Sequence, residues 1–255
     1  MNFMLDAFAT TIIAGAATLA AAGSCAYYAT YAVRSQWLGE TDWHGRRDTG
    51  AAALTFDDGP SEDTEGLLDV LDRLDVRAAF FMVGRNVERL PRAARLVAER
   101  GHEIGNHSYS HPIYLYRSGR ETRRQLERTQ AVIENATGVR PRLARPPCGV
   151  RTPAYFAAAR ELGLRTVQWD VAGFDWMRRR APEIAREVLR GARAGSIILL
   201  HDGDSDGKRD RRETAASLPF IVDGLKGRGL RVAPLSDLLA ERSREGERTI
   251  DDRAA

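Results

Sequence analysis

The chain has 255 residues, 43% of them hydrophobic, enough to bury the core of one large domain and within the length range of single-domain α/β barrels. Its formal net charge is only +3, and its cations, nearly all arginine, are interleaved with acids as in Arg120-Glu121-Thr122-Arg123-Arg124, a pattern of solvated helix faces that argues against a nucleic-acid surface. Two cysteines far apart in the chain, Cys25 and Cys148, do not suggest a disulfide framework.

In chain order, the first feature is a run from Ala7 to Val33 without a charged residue, longer than the roughly 20 apolar residues a membrane-spanning helix needs. Tyr27, Tyr28 and Tyr31 near its end suit a membrane interface. Residues 1–34 are therefore expected to be an uncleaved signal anchor or a cleaved signal peptide. A lipoprotein signal ending at Cys25 and a hairpin buried in the soluble domain are weaker alternatives. Asp6, rather than a basic residue, precedes the run, which weakens both cleaved readings. Arg34, Arg46 and Arg47 follow it, so the positive-inside rule places the rest of the chain in the cytoplasm.

Residues 35–50 are polar, contain three glycines and show no period, as a linker would. From Ala51 short apolar runs alternate with helix-like segments. Strands are predicted at Ala51–Phe56, Ala78–Val83, His102–Gly105, Leu143–Arg145, Thr166–Asp170, Ser196–Leu200 and Leu230–Ala233. Helices are predicted at Thr64–Leu74, Pro91–Arg100, Arg120–Thr137, Pro153–Leu162, Pro182–Arg190, Thr214–Arg228 and Leu235–Arg242. Strand-helix alternation implies a parallel sheet or barrel, and in such folds the working residues sit at the C-terminal ends of the strands. The charged tail, residues 243–255, reads as disordered.

The strand ends carry the chemistry. Thr55-Phe56-Asp57-Asp58-Gly59-Pro60 places two carboxylates at the end of an apolar strand, and alternation would point them to opposite sides. His107 and His111, four residues apart, lie on one face if the segment is helical, and with one carboxylate they make the two-His-one-carboxylate set of a catalytic zinc or other divalent first-row metal. Arg145-Pro146-Pro147-Cys148-Gly149 is a stiff turn, followed by Trp169-Asp170 and Asp175-Trp176. His201 ends the continuous apolar run through Leu199 and Leu200, a placement that suits an acid or base.

Taken together and in order, Thr55–Pro60, His107–His111, Arg145–Gly149, Asp175-Trp176 and Leu199–His201 resemble the motifs of the polysaccharide deacetylase family, carbohydrate esterase family four, from Ala51 to about Arg242. The resemblance implies a distorted (β/α) barrel of about seven strands. It also implies a metal-dependent hydrolase that removes acetyl groups from N-acetylglucosamine units of a glycan such as peptidoglycan or a chitin-like polymer, outside the inner membrane. It assigns Asp58, His107 and His111 to the metal, zinc first and cobalt or manganese next. Asp57 becomes the general base, His201 the general acid, Arg145 the partner of Asp57 and Asp175 the partner of His201. Trp176 and Leu199 would line the acetyl pocket, with Pro147, Cys148 and Gly149 in the substrate wall and a backbone N–H near Cys148 facing the oxyanion. Two positions depart from the family pattern: Cys148, often tyrosine, and Ala172, often acidic. The alternatives are an O-deacetylase of an acetylxylan-like polymer and a membrane-tethered glycan-binding protein without turnover.

Two further patterns are set aside. Asp202, Asp204, Asp206, Gly207 and Glu213 match the spacing of an EF-hand loop, but a strand precedes them and Arg209, Arg211 and Arg212 crowd the cation. Asn135-Ala136-Thr137 is a glycosylation sequon in form only, inside a predicted helix.

Overall fold

A computed structural model describes residues 2–207 and 209–240, with the side chains of residues 2–14 outside the description. The predicted tail, 243–255, lies outside the described residues. Eight strands, all paired in parallel, form one curled sheet: β1 (Ala51–Asp57), β2 (Ala79–Met82), β3 (Glu103–Asn106), β4 (Leu143–Ala144), β5 (Arg165–Thr166), β6 (Val171–Ala172), β7 (Ile197–His201) and β8 (Arg231–Val232). Their order is β5-β4-β3-β2-β1-β7-β6, with β8 against the start of β1. The chain starts at the centre, steps outward to β5, crosses to the far edge at β6 and returns beside β1. Because the two edge strands are joined by residues 167–170, the sheet curls into the expected distorted barrel.

Alternation along the strands separates two cores. Leu54, Phe56, Phe80, Met82, Ile198 and Leu200 face the outer helices, where they meet Leu67, Leu71, Val97, Ile184 and Ile221. Ala51, Ala53, Ala79, Phe81, Val167 and Ile197 fill the inside of the barrel and are plugged from below by Leu235, Leu238 and Leu239. Continued upward, the inner row becomes Thr55 and Asp57 on β1 and Leu199 and His201 on β7. The alanines leave room at the bottom of the barrel and the polar residues emerge at its mouth.

The outer layer consists of α2 (Thr64–Arg73), α3 (Gly84–Arg89), α4 (Pro91–Glu99), α5 (Gly119–Thr137), α6 (Pro153–Glu161), α7 (Ala181–Gly191) and α8 (Arg212–Lys226), with residues 235–240 also helical. The Ser118 side chain caps α5 by accepting from the Glu121 N–H, and Gly138 ends it with φ 74°, a conformation glycine adopts without steric cost. Thr152 caps α6 in the same way, ahead of Pro153 in its first turn.

Three features differ from the predicted elements. The strand expected over Thr166–Asp170 is split between β5 and β6, because Arg145 takes the carbonyls of Val167 and Gln168, while Gln168 N–H bonds Asp42 O. Helix α3 follows β2 directly, where no helix was predicted. The supposed linker is built into the domain: Ser35, Thr41 and Asp42 are buried, Asp42 pairs with Val167 and His44 with Ser196 in isolated bridges, and Arg47 bonds Asp170 at 2.9 Å.

A first helix, α1 (Asn2–Tyr31), covers most of the uncharged N-terminal run. From residue 15 to 28 it is exposed, and then it docks: Arg151, with no exposed surface, donates to Ala29 O at 3.3 Å and Ala32 O at 2.5 Å, and its N–H bonds Thr30 O at 3.1 Å. The guanidinium thus meets the negative end of the α1 dipole. Among the described residues no helix is long and apolar enough to cross a membrane. The half of the predicted anchor before residue 15 has side chains outside the described residues.

Candidate active site

The mouth of the barrel is organised by the register of β1 and β7, which puts Asp57 beside His201. Asp57, 3% exposed, receives Arg145 Nη1 at 2.7 Å. Arg145 has no exposed surface and is held on every side. Nη1 also donates to Thr55 Oγ1 at 2.9 Å, Nη2 to Gln168 O at 3.0 Å and Nε to Val167 O at 3.3 Å, and the guanidinium lies 4.1 Å from the centre of the Phe81 ring. A fork with this many fixed acceptors holds one Asp57 oxygen still and leaves the other toward the mouth.

Asp58 does not point away from Asp57 as alternation predicts. Its φ of 73° turns the chain as the strand ends, so both carboxylates face the same imidazole: His107 Nε2 is 3.6 Å from Asp57 Oδ2 and 3.4 Å from Asp58 Oδ1. The backbone of Asp58 is gripped by Asn86 of α3, whose Nδ2 donates to Asp58 O at 2.7 Å. Gly59 is required next, because a Cβ there would stand 2.0 Å from Asp202 Oδ2. Asp202 is itself buried, bonded to Thr64 Oγ1 at 2.7 Å, and burial pushes its carboxyl up to about 7.

His107 and His111 converge without a helix. The segment after β3 is irregular, and left-handed residues at Ser108 (φ 66°) and His111 (φ 56°) bring the rings to 5.0 Å between centres. His111 Nε2 is 3.2 Å from Asp58 Oδ1, and the ligand atoms of Asp58, His107 and His111 all lie within 4.8 Å of one another. His107 Nδ1 donates to Arg145 O at 2.7 Å, which aims Nε2 at the cluster in the manner of a metal-ligating histidine. Asp58 Oδ1 is buried with no hydrogen-bond partner among the described residues, although burial of an unpaired carboxylate oxygen is costly. Burial alone would raise Asp58, but the imidazoles of His107 and His111 outweigh it and hold the carboxyl well below the usual range. A buried carboxylate oxygen between two histidine nitrogens is a donor set that fits a divalent cation.

On the other side of the mouth His201 is tied to Asp175. Burial works against the charged imidazole, but the adjacent Asp175 carboxylate more than offsets it, and His201 is raised above the ordinary histidine value. Nδ1 meets Asp175 Oδ1 at 2.8 Å, while Asp175 Oδ2 accepts from His201 N–H at 2.8 Å and from Thr214 Oγ1 at 2.9 Å. Trp176 stands edge-on to the His201 ring at 5.2 Å, and Leu199 lies buried one inward position below His201. The barrel mouth therefore carries two oppositely arranged pairs, a carboxylate held by a cation and an imidazole held by a carboxylate, around a cluster that fits a metal. Such pairs set a hydrogen-bond acceptor and an imidazole donor on opposite sides of one cluster.

The turn Pro147-Cys148-Gly149 forms the third wall. Cys148 has φ 55° and an exposed side chain, Pro147 and Gly149 are buried, and Gln168 Nε2 fixes Gly149 O at 3.0 Å. The N–H groups of Gly149 and Val150 bond back to Pro146 and Pro147, while no hydrogen bond from the Cys148 N–H is found among the described residues. Ala172 pairs with Leu199 on β6, and Arg145 is fully engaged without an acid there. The motif Trp169-Asp170 divides: Asp170 is structural, bonding Ile197 N–H at 2.9 Å and Arg47, and Trp169 packs on the inner core. The EF-hand-like residues do not gather, since Asp202 is buried against Thr64 and Glu213 opens α8 to accept from the Ala181 N–H. Asn86 and Gln168 escaped the sequence reading, and neither has a neighbouring motif that would have marked it.

Residues 44–167 match a family model described as Polysaccharide deacetylase. The peptidoglycan-N-acetylglucosamine deacetylase PgdA of Listeria monocytogenes is 37% identical over 200 residues, which cover 78% of this chain and 41% of the relative, so the chain spans about two fifths of that protein's length. The chitooligosaccharide deacetylase of Azorhizobium caulinodans is 35% identical over 191 residues, 71% of this chain and 91% of the relative. Among solved structures, a family 4 carbohydrate esterase pseudoenzyme from Bacillus anthracis superposes with a TM-score of 0.72 at 30% identity, over 79% of this chain and 69% of that one.

Proposed function

The chain belongs to the polysaccharide deacetylase family, carbohydrate esterase family 4, and from that premise we propose that it is a metal-dependent hydrolase of N-acetylglucosamine acetamides in a glycan. Membership alone does not secure turnover, because one structural neighbour is a pseudoenzyme. The observation that carries the reading is that Asp57–Arg145 and Asp175–His201 are both complete and flank the Asp58, His107, His111 cluster.

A divalent ion held by Asp58, His107 and His111, zinc first and cobalt or manganese next, would lower the pKa of water and polarise the acetyl carbonyl. Asp57, oriented by Arg145, removes the proton from the attacking water. The Cys148 N–H faces the oxygen on which negative charge develops. His201, kept protonated by Asp175, gives its proton to the departing amine nitrogen. Leu199 and Trp176 close the pocket around the acetyl methyl.

We further propose that α1 anchors the protein in a bilayer with the catalytic domain outside the cytoplasm, where glycans are found, against the orientation that the flanking Arg34, Arg46 and Arg47 favour. The uncharged run from Ala7 to Val33 and the exposure of α1 from residue 15 to 28, which leaves Leu19, Tyr27 and Tyr28 uncovered, support this. Protease protection in intact cells tests the orientation.

Acetate release by the full-length protein in detergent tests the activity. Chitooligosaccharides, peptidoglycan and acetylxylan are supplied after chelation and again with zinc, cobalt or manganese. Metal-dependent acetate from an amino-sugar substrate supports the proposal, and release from acetylxylan alone makes the protein an O-deacetylase. No acetate from a metal-loaded protein that still binds glycan makes it a binding protein.

A further inference from the structure

A cleft of about 390 Å³ opens beside Trp176, lined by Arg178, Arg179, Arg180, Arg209 and Arg211 together with Asp175, Asp210 and Glu213. Five arginines and three carboxylates share it. The carboxylates are all engaged: Asp175 by His201 and Thr214, Asp210 by Arg212, whose Nε lies 2.6 Å away, and Glu213 by the Ala181 N–H at 2.7 Å. Some arginines are engaged too. Arg179 pairs with Glu187 at 2.8 Å, and Arg211 is buried on Gly203 O. Arg209 is exposed, and its Nη1 ties it to Trp176 O at 2.7 Å. Arg178 and Arg180 are exposed and have no ion pair among the described residues. The cleft is therefore a concave, net-positive surface that shares Trp176 with the catalytic pocket.

We infer that this cleft receives an anionic oxygen substituent, a carboxylate or phosphate, borne by a glycan residue next to the one that is deacetylated. This rests on the proposed function and deepens it by giving the glycan a charge. The guanidinium fork matches planar oxyanions and is only weakly hydrated, so arginine rather than lysine suits the task. The arrangement also separates duties: a neutral chitin-type chain would satisfy the catalytic pocket and leave Arg178 and Arg180 unanswered. The tie from Arg209 to Trp176 places the basic cleft and the wall of the acetyl pocket on one unit, so an anion seated there registers the neighbouring sugar against His201.

The test uses the full-length, metal-loaded protein and two readouts. Calorimetry on Asp57→Asn, which has lost the proposed base, measures affinity for soluble peptidoglycan strands with free carboxylates and for the same strands after amidation. Inorganic phosphate as a competitor distinguishes a general oxyanion site from one fitted to carboxylate. The free-acid strands are expected to bind about fivefold more tightly or better, with a preference that shrinks as salt rises. Adding Arg178→Gln and Arg180→Gln should remove that preference. In the protein that retains Asp57, the same pair should lower the ratio of kcat/KM on anionic strands to kcat/KM on neutral chitooligosaccharides. Equal affinity for acid and amidated strands, or a preference that survives Arg178→Glu with Arg180→Glu, overturns the inference. Absence of acetate from every substrate beside an intact binding preference overturns the deacetylase reading instead.

Discussion

Replacing Arg145 by lysine tests whether the barrel mouth works as a built frame. The charge is kept, but the fork is lost. In the native protein three nitrogens serve four acceptors, Asp57 Oδ1, Thr55 Oγ1, Val167 O and Gln168 O, at 2.7 to 3.3 Å. A single ammonium reaches either the Asp57–Thr55 side or the two carbonyls, and Arg145 has no exposed surface through which water could serve the rest. With about two acceptors stranded at roughly 1–3 kcal/mol each, the substitution should cost about 2–5 kcal/mol. For a domain of this size each kcal/mol lowers Tm by about 2–4 °C, so a fall of roughly 5–15 °C is expected by calorimetry. Turnover should fall further than stability explains: an Asp57 oxygen displaced by about 1 Å costs on the order of 100-fold in kcat. The ligand side chains belong to other residues, so bound metal measured by elemental analysis should remain near stoichiometric. A variant that keeps both its Tm and its kcat would refute the claim that Arg145 holds Asp57 in place.

Asp57→Asn should lower kcat by about 100-fold or more while metal content stays intact, because the proton acceptor is lost but no ligand is. If activity survives, another group is the base. His107→Ala combined with His111→Ala should abolish bound metal and rate together, and retention of either one removes the metal cluster from the account. Asp175→Asn takes away the charge that raises His201. Since the acid must be protonated to act, the alkaline limb of the kcat/KM profile should move to lower pH relative to the metal-loaded wild type, and an unmoved limb contradicts the pairing. Cys148→Ser should leave kcat within about twofold, because only the backbone N–H is invoked; a loss above about tenfold would mean that the thiol itself takes part.

Much of this architecture was legible in the sequence because it is written in local patterns. The strand-helix alternation, the prolines opening α4 and α6 and the apolar runs ending in Asp57 and His201 all reflect forces acting within a few residues. The convergence of Asp58 on Asp57 was not legible, since it depends on a left-handed backbone that a non-glycine residue seldom adopts. The two histidines met for a reason other than the expected helix: two left-handed residues fold the loop back on itself. The strand over Thr166–Asp170 was misjudged because its carbonyls serve Arg145, a partner 22 and 23 residues away. Asn86 is further out of reach, as its role consists of holding a carbonyl 28 positions earlier.

Arg151 carries a mechanical consequence. Its buried guanidinium has the end of α1 as its partner on one side, and the same residue lies three positions beyond Cys148 on the other. The joint between helix and cleft therefore behaves as a strut and not as a leash. Were α1 held in a bilayer as proposed, this joint would couple the position of the opening to that of the helix, and the strands within reach would be those passing close to the anchor. Cutting the chain at Ser35 does more than release a domain from its mooring. It strips the counterpart from a buried cation beside the catalytic turn, so a truncated protein that lost activity would have lost a wall of the pocket along with its address.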